Sequence, residues 1–306
     1  LTCALSVVLL ACSDENGIVN PENQSGLISL GTAQVNGVRI ELTGSEQIGA
    51  GYNPLEIKLT EATSGRPLSV AQVAVVPMMN MGDHSHSAPS EPGLYDVYTG
   101  VYDNPVVFLM PGTWVLEVSY VTDDGKEGMT TFTVDVGQGH CAALTGDDEK
   151  RYFLSLVGPL DPSVGKQDIE FTVHGRESMM SFPPIEDFTV EIEPSMPAMG
   201  HGSPDNEQPV HQSDGHYVGK VNFIMTGAWR VDVRLKRGEQ VVAEAAFDLL
   251  VDGCVQEEGQ DHQDREGVDP VEEKSEPETG REGEEDKGKQ SQDPGFVTQD
   301  LRQTVD

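Results

Sequence analysis

Basic residues are scarce in this chain. Lys and Arg total 19 against 52 Asp and Glu in 306 residues, which gives a formal net charge of −33. Proteins that bind nucleic acid neutralise the backbone phosphates with Lys and Arg. The composition therefore predicts that nucleic acid is not a partner.

The sequence also lacks the motifs of the common enzyme classes. It contains no nucleophile elbow, no His-Glu-x-x-His zinc motif, no glycine-rich phosphate loop and no dinucleotide-binding fingerprint. Ser, Asp and His are present, but their spacing does not indicate a catalytic triad. We therefore expect that the protein is not an enzyme.

Aromatic residues make up only 6% of the chain, and no stretch keeps a helical hydrophobic period over three turns. The dominant period is two. In one segment the apolar residues that alternate with charged ones are Trp229, Val231, Val233 and Leu235. This alternation is typical of a strand with one buried face. Because turn signals such as Asp124-Gly125 separate such segments, the sequence predicts an all-β fold.

An internal repeat indicates the domain organisation. Met110, Gly112 and Trp114 recur 115 positions later as Met225, Gly227 and Trp229. A fixed period of this length indicates repeated structural units, and each unit is long enough to bury its own core. We predict two tandem immunoglobulin-like antiparallel β-sandwiches, at residues 30–141 and 148–254, in which residues 38–42 correspond to residues 152–156.

The first residues of the chain are typical of a secretion signal. Residues 1–11 form an apolar run that is too short to span a bilayer but suits a signal peptide. The segment Leu9-Leu10-Ala11-Cys12 resembles the lipobox of bacterial lipoproteins, in which the Cys becomes lipidated. We expect a lipid anchor on Cys12, a polar tether at residues 12–29, and a location in the bacterial cell envelope facing the periplasm or the exterior. The alternative is an ordinary buried apolar terminus.

The last 52 residues differ in composition from the rest. Residues 255–306 carry 17 acidic and 6 basic side chains with almost no apolar content. Such a segment buries too little apolar surface to offset the entropy lost on ordering. We therefore predict a disordered acidic tail.

Each repeat carries a Met- and His-containing loop, then Gly-x-Tyr, then Phe-x-Met-x-Gly-x-Trp. This pattern resembles the YtkA-like domain, which is related to the periplasmic part of FixH. The second copy keeps Met196, Met199, Gly200 and His201, whereas the first copy inserts Asp83 and has an additional His. The resemblance implies a small extracytoplasmic β-sandwich, often anchored to the envelope. It also implies an association with copper handling or oxidase assembly, and hence a protein partner of that kind.

The Met and His residues of the repeat suit copper. Thioether sulfur is a soft ligand that favours Cu(I), and imidazole accepts Cu(I), Cu(II) or Zn(II). The candidate copper ligands are Met79, Met81, His84, His86 and Met110 in the first copy, and Met196, Met199, His201 and Met225 in the second. His211 and His216 are weaker candidates, and His140, His174 and His262 are expected to be structural or solvated.

Methionine is also a common core residue, which is the alternative for these positions. Met110 and Met225 lie two and four residues before a Gly and a Trp, so regular alternation would bury the Met with the Trp. Strand parity therefore favours a core position for these two Met residues. A bulge at the Gly would instead turn the Met outward.

Two cysteines, Cys141 and Cys254, are placed at the end of the last strand of each repeat. In an oxidising compartment they are candidates for a disulfide bond. The alternative is a pair of free thiols, with His140 and Cys141 as a secondary metal site.

Two functions from different classes follow from the sequence. The first is an envelope-anchored lipoprotein that binds or delivers copper through its Met/His loops. The alternative is a non-catalytic structural or adhesive surface lipoprotein that uses its sandwiches for protein–protein contact.

Overall fold

A computed structural model describes residues 26–252. In this range the chain forms 20 strands and no helix. Accordingly, the described part of the chain contains no helix of the length and apolarity needed to cross a membrane. The predictions for the signal peptide, Cys12, most of the tether, Cys254, His262 and the acidic tail fall outside the described residues.

The strands form two sandwiches along the chain. The first contains β1 (Leu27–Val35), β2 (Val38–Ser45), β3 (Gly51–Asn53), β4 (Leu55–Glu61), β5 (Ala71–Asn80), β6 (Ser85–Ser87), β7 (Leu94–Asp96), β8 (Val101–Asp103), β9 (Val106–Phe108), β10 (Gly112–Thr122) and β11 (Glu127–Val136). The second contains β12 (Cys141–Thr145), β13 (Arg151–Gly158), β14 (Gly165–Gly175), β15 (Thr189–Met196), β16 (His201–Gly202), β17 (Glu207–His211), β18 (His216–Phe223), β19 (Gly227–Arg237) and β20 (Gln240–Val251).

The two sandwiches share one antiparallel topology. In the first, a sheet with the order β1-β2-β4-β8-β7 packs on a sheet with the order β11-β10-β5-β6, and β3 pairs with β9. In the second, β12-β13-β14-β18-β17 packs on β16-β15-β19-β20. The strand β2 therefore corresponds to β13, and β10 corresponds to β19. The predicted tandem immunoglobulin-like fold is confirmed.

The two-residue alternation explains how the core forms. Along β10 the buried side chains are Trp114, Leu116, Val118 and Tyr120, and along β19 they are Trp229, Val231, Val233 and Leu235. Burying one face of every strand removes apolar surface from water and leaves the other face solvated. Each sandwich has its own cluster of buried residues, with a fully buried Trp in each.

The position assigned to Cys141 from the sequence is wrong. The last strand of the first sandwich, β11, ends at Val136, and Cys141 instead begins β12, the first strand of the second sandwich. The corresponding strand of the first repeat is β1, which begins at Leu27. Burial raises the pKa of the Cys141 thiol to about 11, which keeps it protonated at neutral pH and disfavours metal binding with His140. A disulfide with Cys254 stays a prediction.

The two sandwiches pack against each other. Phe153 of β13 belongs to the buried cluster of the first sandwich and packs on Phe182, with ring centroids 5.6 Å apart. The backbone N–H of Ser87, on the edge strand β6, donates a hydrogen bond to the carbonyl oxygen of Met179 over 2.9 Å. The connection between β11 and β12 is also short. Together with these contacts, it brings the Met/His loop of the first copy beside the second sandwich.

Candidate metal centre

The glycine of the repeated motif sets the direction of the preceding methionine. Gly112 and Gly227 have φ values of 139° and 125°, in a region that other residues rarely adopt. The backbone at the glycine therefore departs from regular alternation. Met110 and Met225 are 38% and 36% exposed. The parity prediction that these two side chains lie in the core is wrong, because both residues precede strands that begin at Gly112 and Gly227. The register of β10 and β19 shows no bulge at the Gly, so the predicted alternative is also not the cause.

The buried tryptophans hold the same two methionines through the backbone. The indole N–H of Trp114 donates a hydrogen bond to the carbonyl of Met110 over 3.1 Å, and Trp229 does the same for Met225 over 2.9 Å. A buried carbonyl needs such a partner. The Met-x-Gly-x-Trp spacing thus combines a core anchor with an exposed thioether.

The first methionine of each set lies in the core. Met79 and Met196 are 6% and 4% exposed, at the ends of β5 and β15. The methyl carbon of Met79 packs so close to Gly112 that a Cβ there would lie 2.7 Å away. The corresponding distance from a Cβ on Gly227 to the methyl of Met196 is 3.1 Å. The structure thus places two of the predicted ligands among packed side chains, in the role of core filler.

A single methyl group added at Gly112 tests this packing. We expect Gly112→Ala to reduce the free energy of unfolding by about 1–3 kcal/mol because of backbone strain, and further because Met79 must move. The matched control is Gly165→Ala, where φ is 123° and nothing lies within 4 Å of the added Cβ. Urea unfolding at pH 7 measures the free energy of unfolding of both variants. Equal losses for the two variants would show that the Met79 contact contributes nothing.

Strand pairing identifies the equivalent histidines. His86 pairs with Met79, and His201 pairs with Met196, so His86 rather than His84 is the counterpart of His201. The rings pack edge-on against Trp114 and Trp229, at centroid distances of 5.1 and 5.8 Å. Each Nδ1 contacts a carbonyl oxygen, at 2.9 Å for His86 and 3.2 Å for His201. Since a carbonyl only accepts, Nδ1 is the donor in each contact, and the Nε2 of a neutral ring is the atom that can bind a metal.

Four of the five candidate ligands of the first copy line a cavity of about 320 Å³ between the sandwiches. Met81, His84, His86 and Met110 contribute from the first sandwich, and Met179 from the second. Met179 was not predicted from the sequence. Within residues 26–252 no group of three or more His, Cys, Asp and Glu side chains is placed to hold a metal ion. A metal site in this range would therefore depend on thioether ligands.

The family model for YtkA-like domains matches residues 32–119 and 147–234, which together exceed half of the chain. The chain belongs to the YtkA-like family. Each matched segment lies within one of the two sandwiches, which confirms that the domain occurs in tandem. A comparison with curated proteins gives no match.

Several solved structures of low similarity also match the two YtkA-like domains. The FdeC adhesin of Escherichia coli is 13% identical, with 74% of this chain and 82% of that chain covered and a TM-score of 0.26. Domains 5–6 of the S-layer protein SbsC are 11% identical, with 73% and 100% covered and a TM-score of 0.28. The fibronectin(III)-like modules of Clostridium thermocellum CbhA are 15% identical, with 72% and 99% covered and a TM-score of 0.22. With TM-scores this low, these likenesses do not bear on function.

The candidate metal ligands of the second YtkA-like domain have different surroundings. Met199 is 59% exposed, Met225 is 36% exposed, and His201 is partly exposed. Gly200 adopts a φ of 66°, as its counterpart Gly82 does at 78°, so both loops turn at the same point. Met199 and Met225 thus face solvent, whereas the similarly exposed Met81 and Met110 of the first set line a cavity against the neighbouring domain.

A charged cluster also joins the two YtkA-like domains. His216 contacts Glu170 of its own domain through Nδ1 at 2.6 Å and Glu91 of the first domain through Nε2 at 2.9 Å. Hydrogen bonds to these carboxylates raise the pKa of His216 to about 9. The ring of Tyr52 packs edge-on at 5.7 Å, and its pKa is raised, chiefly by burial. Because both nitrogens of His216 are occupied, this residue is unsuited to bind a metal.

The remaining predicted histidines have other surroundings. His174 is buried, and burial, with the nearby His216 charge, lowers its pKa to about 4. The His211 ring packs on Tyr217 at 5.3 Å, and the His140 ring lies 6.4 Å from that of Phe247. These environments are those of structural side chains.

Proposed function

We propose that this YtkA-like protein binds or delivers copper through its Met/His loops, with Cu(I) as the favoured ion. The observation that carries the proposal is the shared cavity of Met81, His84, His86 and Met110. Two thioethers and two imidazoles around one space form a soft donor set of the kind that Cu(I) prefers. Binding and transfer require such ligands and no catalytic group, so we propose a non-enzymatic role.

The charge around the cavity supports the lower oxidation state. Arg151 and Arg176 also line the space. Coulomb repulsion from a guanidinium scales with the charge of the bound ion, so a dication would be destabilised about twice as much as a monocation at the same distance. We therefore propose Cu(I) rather than Cu(II) for the first site.

The proposed location is the bacterial cell envelope. A lipid anchor on Cys12 would hold the two domains at a membrane, and a copper-handling or oxidase-assembly protein would be the partner. The lipobox-like segment before Cys12 supports this proposal. Mass spectrometry of the protein purified from a bacterial membrane fraction tests it, because lipidation adds acyl mass at Cys12 and Cys12→Ser should abolish the addition.

Titration with Cu(I) under reducing conditions tests copper binding. In competition with a chromogenic chelator, the protein should bind two Cu(I) ions per chain with dissociation constants below about 1 µM. The double variant Met199→Ala, His201→Ala should bind one. Binding weaker than micromolar in the wild-type protein, or two unchanged sites in the double variant, would overturn the proposal.

One feature favours the alternative role in protein contact. The hairpin formed by β7 and β8 exposes Leu94, Val97 and Tyr98, which are 71%, 74% and 92% exposed. Clustered exposed apolar and aromatic side chains are typical of protein-binding surfaces. If this hairpin is the functional surface, Tyr98→Ser should abolish capture of an envelope protein in the absence of copper. The Met/His loop variants should then capture that protein normally.

A further inference from the structure

The cavity between the two domains contains a thioether that does not belong to the repeated motif. We propose that Met179 of the second domain is a metal ligand of the first domain's site. The first site would then be complete only when the two domains are docked. This inference rests on the proposed copper binding.

The backbone around Met179 is held in place. The chain from Glu177 to Ser181 forms a tight turn, in which the N–H of Glu177 donates to the carbonyl of Ser181 over 3.0 Å. The side-chain hydroxyl of Ser181 also donates to a carboxylate oxygen of Glu177 over 3.0 Å. Met179 lies within this turn. Such a turn limits the positions that its thioether can reach.

A direct contact fixes this turn against the candidate centre. The N–H of Ser87 donates to the carbonyl oxygen of Met179 over 2.9 Å. Ser87 is the next residue after His86, on the edge strand β6. The turn therefore binds the edge of the first domain beside the imidazole that keeps a free Nε2. Satisfying an edge-strand N–H in this way also stabilises the docked arrangement.

The side chain of Met179 lines the same cavity as Met81, Met110 and His86. It is 39% exposed, so it remains free to change rotamer, as an unbranched thioether does readily. With Met179 the cavity offers three thioethers and two imidazoles. The next residue, Met180, is 55% exposed and is not part of the cavity lining.

The two sites of the protein consequently differ in their ligands. The first would combine the motif residues with a thioether from the second domain, whereas Met199 and Met225 of the second site are not part of that cavity lining.

Methyl NMR of the wild-type full chain tests the assignment without a substitution. With the methionine methyl groups labelled with carbon-13, addition of Cu(I) should shift the resonance of Met179 together with those of Met81 and Met110. The resonance of Met180 should stay in place. Shifts of Met81 and Met110 without any shift of Met179 would overturn the inference and leave copper binding intact. The absence of every shift would instead overturn the proposed function.

Affinity measurements on matched variants give a second test. The second site is first disabled by Met199→Leu and Met225→Leu. In that chain we expect Met179→Leu to weaken Cu(I) binding at least about 10-fold, because even residues that only orient a metal ligand cost about 10–100-fold in affinity when they are lost. Met180→Leu is the control and should leave the affinity unchanged. Leucine conserves volume, and thermal unfolding should verify that both variants fold alike. Equal affinities for the two variants would overturn the role of Met179.

Discussion

The stability of the protein should pass through a maximum near pH 6.5 and fall by about 3 kcal/mol as the pH rises to 9. His216 has a folded-state pKa of about 9 against an ordinary value of 6.5. Between these values the folded chain keeps a proton that the unfolded chain has lost. Each pKa unit of difference corresponds to about 1.4 kcal/mol, so stability decreases with rising pH across this window. Urea unfolding at half-unit pH intervals measures the effect.

The loss of stability below pH 6.5 should come from a different histidine. Burial lowers the pKa of His174 from 6.5 to about 4, so between these values the unfolded chain binds a proton that the folded chain excludes. Stability therefore decreases as the pH falls through this window. Above pH 9 the Cys141 thiol, with a pKa raised to about 11, adds a further loss in the alkaline range.

Substitutions separate the two histidine effects. His216→Gln removes the group that bridges Glu91 and Glu170, and it should flatten the curve between pH 6.5 and 9 while lowering stability at pH 6.5. His211→Gln is the matched control and should keep the wild-type profile. An alkaline loss of the same size in His216→Gln would show that the interdomain bridge does not control this pH dependence.

The double variant Met81→Leu, Met110→Leu should bind Cu(I) at the first site at least about 100-fold more weakly than the wild-type chain. Loss of groups that only orient a ligand already costs 10–100-fold in metal affinity, and here two direct ligands are removed. Leucine fills a similar volume without a donor atom, and both methionines are partly exposed, so the fold should be retained. Competition with a chromogenic Cu(I) chelator provides the measurement.

Two controls show whether this loss is specific. Met129 lies on β11, is 61% exposed and is not part of the cavity lining, so Met129→Leu should leave both sites unchanged. The second site of the double variant should also keep its affinity. If the double variant and Met129→Leu bind copper equally well, the cavity is not the first site.

The sequence predicts the architecture well because strand burial has a simple signature. One face of β19 meets the core and the other meets water, so apolar and charged residues must alternate from Trp229 onward. The repeat then extends that assignment from one domain to the other. The resemblance to the YtkA-like pattern predicts the same architecture independently, because both repeats match its Gly and Trp positions.

The direction of the motif methionines was predicted incorrectly for a local reason. Buried and exposed side chains alternate only while the backbone stays extended. Gly112 and Gly227 leave that conformation with positive φ values. A glycine in a strand pattern is compatible with either geometry. As a result Met110 and Met225 are exposed, while Met79 and Met196 occupy the core.

Contacts between the domains could not be predicted from the sequence. Met179 meets Ser87, and His216 meets Glu91, across more than 90 residues with no period that links them. One signal was available. Met179 lies between His174 and Pro184, in a connection three residues longer than its counterpart between Thr60 and Pro67 in the first repeat. A residue that departs from an otherwise regular repeat indicates a role that the two domains do not share.

X-ray absorption at the copper edge tests the proposed Met/His ligands, because it identifies the atoms bound to the metal. The full chain would be loaded with two equivalents of Cu(I) under reducing conditions. We expect the atoms bound to copper to be mainly sulfur with a smaller contribution from imidazole nitrogen, and the sulfur contribution to be reduced in the Met81→Leu, Met110→Leu variant. A shell of oxygen and nitrogen alone, unchanged in that variant, would contradict this expectation.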